Sequence, residues 1–329
     1  MKRIAFGLSC VLACAVLPAG ARAQAPSRHT MTLDDVFAIK DLEDPQLSPD
    51  GAWVAYTVTS TDTKADKFDS DVWMTSWDGA QSIRLTSSKT SESKPRWSPD
   101  GRYLSFLSSR DDDKEHDQVW LLNRLGGDAI RLTEAKDSVS DYAWSPDGAR
   151  IVLVVKDPDP NDADADPTKD AKPGSDKDGK ADEKKDEKKT LKPIVLDRFQ
   201  FKEDETGYLD ARRDHLYLVD VAARKTEQLT SGATDDILPS WSPDGTNIAF
   251  VTKRGLDPDR TDNWDIYAIE PRAGAAARQI TTFEGADCDP YWESHPAWSP
   301  DGKFIAYPQG GPVKLIGYNM HPIAVVPAA

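Results

Sequence analysis

A five-residue motif that returns along the chain constrains its fold more than any other feature. Trp97-Ser98-Pro99-Asp100-Gly101 recurs as Trp144-Ser145-Pro146-Asp147-Gly148, Trp241-Ser242-Pro243-Asp244-Gly245 and Trp298-Ser299-Pro300-Asp301-Gly302, and a variant, Leu47-Ser48-Pro49-Asp50-Gly51, precedes them. Each copy has the chemistry of a tight hairpin turn. Proline presets φ near −65°, aspartate bonds its own backbone, and glycine takes a positive φ that other residues resist. A β-branched or aromatic run follows each copy: Trp53 to Val58, Tyr103 to Leu107, Ile151 to Val155, Ile248 to Val251 and Phe304 to Tyr307. Strand, turn and strand at a spacing of roughly 50 residues signal a repeat architecture.

The rest of each repeat supplies two more strands. After Trp53 to Val58, a polar stretch from Ser60 to Ser70 reads as a loop. Asp71 to Met74 reads as the third strand, and Ser82-Ile83-Arg84-Leu85-Thr86 closes the unit. The second repeat copies it with Val119 to Leu122 and Ala129 to Thr133, and the fourth with Trp264 to Ile269 and Ala277 to Thr281. In the third repeat, Asp157 to Lys192 is almost wholly Asp, Lys, Pro, Ala and Gly and has no aromatic residue. Such a segment cannot bury enough apolar surface to offset its ordering entropy, so 157–192 is expected to be a disordered insertion within a blade. Asp176-Lys177-Asp178-Gly179 has a faint likeness to a calcium loop, but Gly174 and Lys185 stand where that loop needs carboxylates. The third repeat resumes at His215 to Asp220 and closes with Glu227 to Thr230. The fifth starts at Pro296-Ala297-Trp298, passes a turn at Gly310-Gly311-Pro312, and offers Lys314 to Tyr318 and Ile323 to Val326 as strands.

A four-stranded antiparallel sheet cannot cover its own faces, but packed radially against like sheets it buries both. The fold class expected is therefore all-β: a β-propeller of four-stranded antiparallel blades, about four complete and one partial. The tryptophan before each turn is expected at a blade-to-blade contact, where its area dominates packing. Propellers close with roughly four to eight blades. This chain is expected to be cut before closure, with closure on four blades and a clasp strand as the alternative.

The N-terminus reads as a signal peptide over 1–23: Lys2 and Arg3, an apolar run from Ile4 to Leu17, and Ala21-Arg22-Ala23 before Gln24. An uncleaved anchor and a lipidated Cys14 are the alternatives. Residues 24–44 read as a lead-in with a short helix capped by Thr32, and 45–329 as the repeats. Cleavage removes Cys10 and Cys14, leaving Cys288 without a disulfide partner. The expected location is periplasmic or secreted, with no membrane span after cleavage. A net charge of −15 argues against nucleic acid as a partner.

Catalytic signatures are absent from the sequence. There is no Gly-x-Ser-x-Gly elbow and no phosphate-binding glycine loop. The histidines, His29, His116, His215, His295 and His321, lack the spacing of a zinc helix. His215 and His295 read as strand-end or loop residues, and Cys288 as a small, partly buried one. The catalytic, cofactor and metal residues expected in this chain are therefore none.

The repeated Trp-Ser-Pro-Asp-Gly followed by Ile-Ala-Phe or Ile-Ala-Tyr resembles two groups of propellers. One is TolB. The other is the N-terminal propeller of prolyl oligopeptidase-family serine peptidases, which include acylaminoacyl and dipeptidyl peptidases. Ile194 to Asp204 continuing through Gly207-Tyr208-Leu209 to Tyr217, Arg278 to Asp287, and Gly310 to Ile316 are similar to segments of bacterial secreted peptidases. The resemblance covers nearly all of the chain after residue 23. It implies a C-terminal α/β-hydrolase domain with a Ser-Asp-His triad, acting on short peptides admitted by the propeller. No triad residue has a counterpart here, nor does the paired-glutamate segment that holds a substrate amine in dipeptidyl peptidases. The resemblance thus implies a gating domain, inactive alone, whose partners are the hydrolase domain and short peptides. A TolB-like propeller binding another envelope protein is the alternative.

Overall fold

A computed structural model describes residues 30–111, 116–158, 196, 198–204, 207–255, 257–292, 294–312 and 320–329. The expected signal peptide, the insertion from 159 to 192 and the strand at 314–318 lie outside the described residues. The chain forms two compact units, one ending at Ile39 and one running from Lys40 to Ala329. In the first, α1 (Leu33–Ala38) follows Thr32, whose N–H and hydroxyl both donate to the Asp35 carboxylate at 2.7 Å. Asp35, at the third helical position, thus reaches back to the N-cap residue Thr32, one half of a capping box.

The second unit is built of antiparallel sheets that follow the repeats. Blade 1 is β1 (Asp41–Leu47), β2 (Trp53–Asp62), β3 (Lys67–Ser76) and β4 (Ser82–Arg84); blade 2 is β5 (Glu92–Trp97), β6 (Tyr103–Ser108), β7 (Gln118–Asn123) and β8 (Ile130–Arg131). Blade 3 is β9 (Val139–Trp144) and β10 (Arg150–Lys156), then, after a two-stranded ribbon of β11 (Lys202–Glu203) and β12 (Gly207–Tyr208), β13 (Asp214–Asp220) and β14 (Lys225–Gln228). Blade 4 is β15 (Asp236–Trp241), β16 (Ile248–Thr252), β17 (Asp265–Ile269) and β18 (Arg278–Gln279). Blade 5 contains β19 (Gly285–Asp287), β20 (Ala297–Trp298), β21 (Phe304–Pro312) and β22 (Ile323–Pro327). This is the expected propeller of four-stranded blades. β10 pairs with β13 from Arg150↔Asp220 to Lys156↔Asp214, so everything from 157 to 213 is a connection between two adjacent strands of blade 3.

Three details differ from the sequence reading. The first strand begins at Asp41, inside the expected lead-in. Ser60 to Ser70 is no loop: β2 and β3 stay paired out to Asp62↔Lys67. Thr59 and Ser70 hydrogen-bond across the ladder through their hydroxyls at 2.8 Å, so a polar pair does what an apolar one would do elsewhere. Gly310-Gly311-Pro312 is not a turn but the end of β21.

The Ser-Pro-Asp-Gly turns are five copies of one hydrogen-bond pattern. In each, the serine hydroxyl donates to the aspartate at 2.5–2.7 Å and accepts the N–H that opens the next strand at 2.9–3.0 Å. The glycines have φ between +67° and +70°, the left-handed conformation that requires them. These bonds, that from serine first, hold all five aspartates below the usual carboxylate range.

Each tryptophan ties its blade to the one before it. Trp97 Nε1 donates to Gln46 O at 3.1 Å, Trp241 to Ala143 O at 3.1 Å, and Trp298 to Ser240 O at 3.1 Å. Trp144 reaches blade 2 through Ser105, whose hydroxyl accepts at 2.8 Å and donates to Arg96 O at 2.9 Å. The core is correspondingly divided into clusters between consecutive blades: Val72, Met74 and Phe106 between 1 and 2; Val119, Tyr142 and Leu153 between 2 and 3; Val154, Leu216 and Phe250 between 3 and 4; Val251, Ile266 and Ile305 between 4 and 5. Leu47, which lacks an indole, is 55% exposed on blade 1.

Candidate functional site

The first strands of the blades surround a cavity of about 1030 Å³, lined among others by Asp44, Lys94, Tyr142, Trp144, Leu238 and His295. Its wall is irregular in a repeated way. β1, β5 and β15 each carry a bulge against the second strand, between Glu43 and Gln46, Ser93 and Arg96, and Ile237 and Ser240. At each bulge a residue preceding proline has a left-handed backbone: Asp44 at φ 51°, Lys94 at 50° and Leu238 at 52°. Such a conformation costs roughly 1–3 kcal/mol per residue and persists only where its surroundings fix it. Here they do. Asp44 accepts from Arg96 in an ion pair across blades and from Gln46 at 2.6 Å, and Lys94 Nζ lies 3.4 Å from Asp141 Oδ1 on blade 3. Leu238 packs into the cluster between blades 4 and 5.

In blade 5 the same position is opened further. Asp287 pairs with Gln309, and the next paired residue, Ala297, faces Ala306. Residues 288–296 therefore leave the strand as a loop, starting at Cys288 with φ 61°. Its described residues include a 3-10 turn, Pro290–Trp292, and Pro290, Trp292 and His295 stand in the cavity wall. Trp292 stacks on His321 with ring centroids 4.0 Å apart, and a Cβ on Gly310 would lie 2.9 Å from its ring, so glycine in β21 makes room for it. His295 passes over blade 4: Nδ1 lies 3.1 Å from Pro239 O, and Nε2 lies 3.3 Å from Asp141 Oδ2 on blade 3. A carbonyl only accepts, so Nδ1 carries a proton and Nε2 faces the carboxylate. Tyr142 completes the wall, donating to Lys94 O at 2.8 Å; burial pushes its phenol up, so it stays a donor.

The connection from β12 to β13 rejoins blade 3 at the end opposite its Ser-Pro-Asp-Gly turn, where β10 stops at Lys156 and β13 begins at Asp214. Arg198 makes two bonds to Asp259 at 2.9 and 2.7 Å, Arg213 meets Asp235 at 3.1 Å, and Arg212 meets Asp137 at 3.0 Å. Tyr291, in the 288–296 loop, donates to Glu203. These pairs fasten the returning segment to loops of blades 3, 4 and 5.

The singled-out residues fall into separate places. His215 is 1% exposed, between Asp236 at 3.7 Å from Nδ1 and Asp157 at 3.6 Å from Nε2. Burial lowers its affinity for a proton, but the two carboxylates outweigh that and its pKa is raised. His116 lies 4.0 Å from Asp137. Cys288 is buried, and burial followed by the charge of Asp287 pushes its thiol up to about 12, which makes it a poor nucleophile. The neighbouring Asp265 is pushed up to about 6 by burial and then by Asp287. The ring nitrogens of His295 meet a carbonyl and a carboxylate, not a hydroxyl or thiol, and among the described residues no group of three acidic, histidine or cysteine side chains is placed to hold a metal ion. The geometry offers a shaped cavity whose wall mixes charged side chains such as Asp44 and Lys94 with Tyr142, Trp144, Leu238 and Trp292. The sequence reading placed His295 in a loop but missed the loop's reach, whose one signal was the unusual run Asp287-Cys288-Asp289-Pro290-Tyr291-Trp292 before the last tryptophan motif.

No protein-family model matches the chain. It is 29% identical over 242 residues to the uncharacterized peptidase YuxL of Bacillus subtilis, covering 74% of this chain and 34% of that protein. It is 28% identical over 309 residues to dipeptidyl-peptidase 5 of Porphyromonas gingivalis, covering 88% and 41% respectively. The chain thus spans well under half the length of these relatives. Among solved structures, the acylaminoacyl peptidase of Pyrococcus horikoshii superposes with a TM-score of 0.55 at 18% identity, over 85% of this chain and 36% of that one. A TolB from Agrobacterium tumefaciens superposes with 0.51 at 16% identity, over 87% and 76%. Sequence relatives that are peptidases, and a fold shared with acylaminoacyl peptidase, identify the chain as similar to the propeller of prolyl oligopeptidase-family serine peptidases, with a lesser likeness to TolB.

Proposed function

We propose that this chain is the substrate-gating propeller of an exported serine peptidase acting on short peptides, with the α/β-hydrolase domain supplied by another part of a longer polypeptide. The observation that carries the reading is the central cavity, walled by the first strands of the blades and by Pro290, Trp292 and His295 of the 288–296 loop. A cavity of this kind admits an extended peptide and refuses a folded protein. Export rests on the expected signal peptide; among the described residues no helix is long and apolar enough to cross a membrane. The reading has two tests. The chain alone, given peptide p-nitroanilides, is expected to show no turnover, and turnover blocked by a serine-directed inhibitor overturns the reading. The gene beyond the codon for Ala329 is expected to encode Gly-x-Ser-x-Gly followed by aspartate and histidine.

A TolB-like role as a protein-binding module is the second reading, favoured by the larger share of the TolB structure that this chain covers. A closed, monomeric chain that captures an envelope protein and has no hydrolase encoded downstream would support it over the first.

A further inference from the structure

Four blades fill the outer edge of their third strand by one rule. Leu85, Leu132, Leu229 and Ile280 donate their N–H at 2.8 Å to the carbonyls of Val72, Val119, Leu216 and Ile266. The threonine that follows each, Thr86, Thr133, Thr230 or Thr281, accepts through Oγ1 the N–H of that same third-strand residue at 2.9 Å. The residue before is Arg84, Arg131, Gln228 or Gln279. The fourth strand of this repeat therefore has a grammar: arginine or glutamine, then leucine or isoleucine, then threonine. The threonine hydroxyl continues the ladder where the backbone turns away.

Blade 5 presents the same edge without that strand among the described residues. Trp298 pairs with Ile305 as Trp241 pairs with Ile248, and three residues on, Pro308 pairs with Ile323 as Val251 pairs with Ile266. Ile323 is thus the counterpart of Ile266. Gln309 donates to Pro322 O at 2.9 Å, so by the alternation of an antiparallel ladder the N–H and C=O of Ile323 and Val325 point away from β21. Ala324 and Val326 pack against blade 4, while the side chains of Ile323 and Val325 are 71% and 62% exposed. The edge is apolar on one face and formed for pairing, and it continues an interface built four times in the same molecule.

We propose that the open edge of β22 is a strand-addition site for an extended segment of the sequence class [Arg or Gln]-[Leu or Ile]-Thr, with the threonine Oγ1 taking the N–H of Ile323. Main-chain bonds to Ile323 and Val325 supply affinity, and the threonine and the apolar residue before it supply register and specificity. The inference does not depend on the gating role. The probe is a labelled peptide with the sequence of residues 275–283, which contains this chain's own Arg278-Gln279-Ile280-Thr281. Fluorescence anisotropy is expected to show saturable binding. Thr281→Val in the peptide should weaken it about fivefold, the loss of one hydrogen bond, and a scrambled peptide should not bind. Val325→Pro in the chain removes an outward N–H and should abolish binding. No saturation at millimolar peptide, or equal binding of the scrambled peptide, overturns the proposal. The peptide variants leave the protein unaltered, so the outcome stands even if Val325→Pro impairs folding.

Discussion

The residue that does most for this fold is the tryptophan of the motif, because it acts twice. Its ring fills the space between blades, and its N–H bonds the preceding blade, to a first-strand carbonyl for Trp97, Trp241 and Trp298 and to the Ser105 hydroxyl for Trp144. The two contributions can be separated at Trp241, which is 8% exposed. Trp241→Phe keeps most of the packing and loses the bond to Ala143, so it should cost about 1 kcal/mol. Trp241→Ala should cost about 3–5 kcal/mol. Urea denaturation of the two variants measures both, and equal costs would mean that the indole N–H, not the ring, carries the effect. The contribution of tryptophan was legible in sequence because a large aromatic at a fixed place in a repeat has few other uses. That of His215 was not, because its partners Asp157 and Asp236 come from a neighbouring strand end and the next blade. Its raised pKa gives a signed prediction. The folded state holds the His215 proton more tightly than the unfolded chain does. This stabilisation is complete below the unfolded value of about 6.5 and is lost as pH rises through the higher folded value. Denaturation midpoints of the parent should fall relative to those of His215→Gln as pH rises above neutrality, and parallel curves would show that the buried ion pairs are not formed.

At the scale of elements, the sequence announces the hairpins and hides the exceptions. Turns with proline, aspartate and glycine at fixed offsets give the β1–β2 type of hairpin directly. The extension of β2 and β3 is hidden because Thr59, Ser60 and Ser70 lack the apolar alternation that marks a half-buried strand, although their hydroxyls pair across it. The 288–296 loop is hidden for a different reason. It interrupts a strand whose two halves, β19 and β20, are each too short to read. What anchors the loop is tertiary: His295 against Asp141, two blades away, and Trp292 against His321. A double-mutant cycle of His295→Ala and Asp141→Ala tests that anchor. Contacting, partly buried groups should couple by about 0.5 kcal/mol or more. Asp141→Ala also removes the partner of Lys94, so that single change should cost more than His295→Ala. A coupling near zero would leave the loop to Trp292, Tyr291 and the contact of His295 with Pro239, and would take Asp141 out of the account of its anchoring.

In the unit from Lys40 to Ala329 each core cluster is shared by two neighbouring blades, so its stability is expected to be a sum over interfaces rather than the property of one centre. Blades 2, 3 and 4 are packed on both faces: Phe106, Val152 and Phe250 are fully buried. Blades 1 and 5 each show an apolar face instead, with Leu42 and Leu47 at 66% and 55% exposure on β1, and Phe304, Ile323 and Val325 between 45% and 71% on blade 5. A strand packed on one side opens by breaking one interface, whereas a strand in the middle opens only after two. Amide hydrogen exchange should therefore rank the second strands in a definite order. β10 should be slowest, β6 and β16 close to it, and β2 and β21 fastest despite their length, because protection follows buried contacts and not the number of ladder bonds. The expected contrast between β10 and β2 should grow in Trp97→Ala, which loosens the junction of blades 1 and 2, and should not change in Trp298→Ala, which loosens the junction at the other end. Uniform protection across all five second strands would require the faces of blades 1 and 5 to be covered in solution.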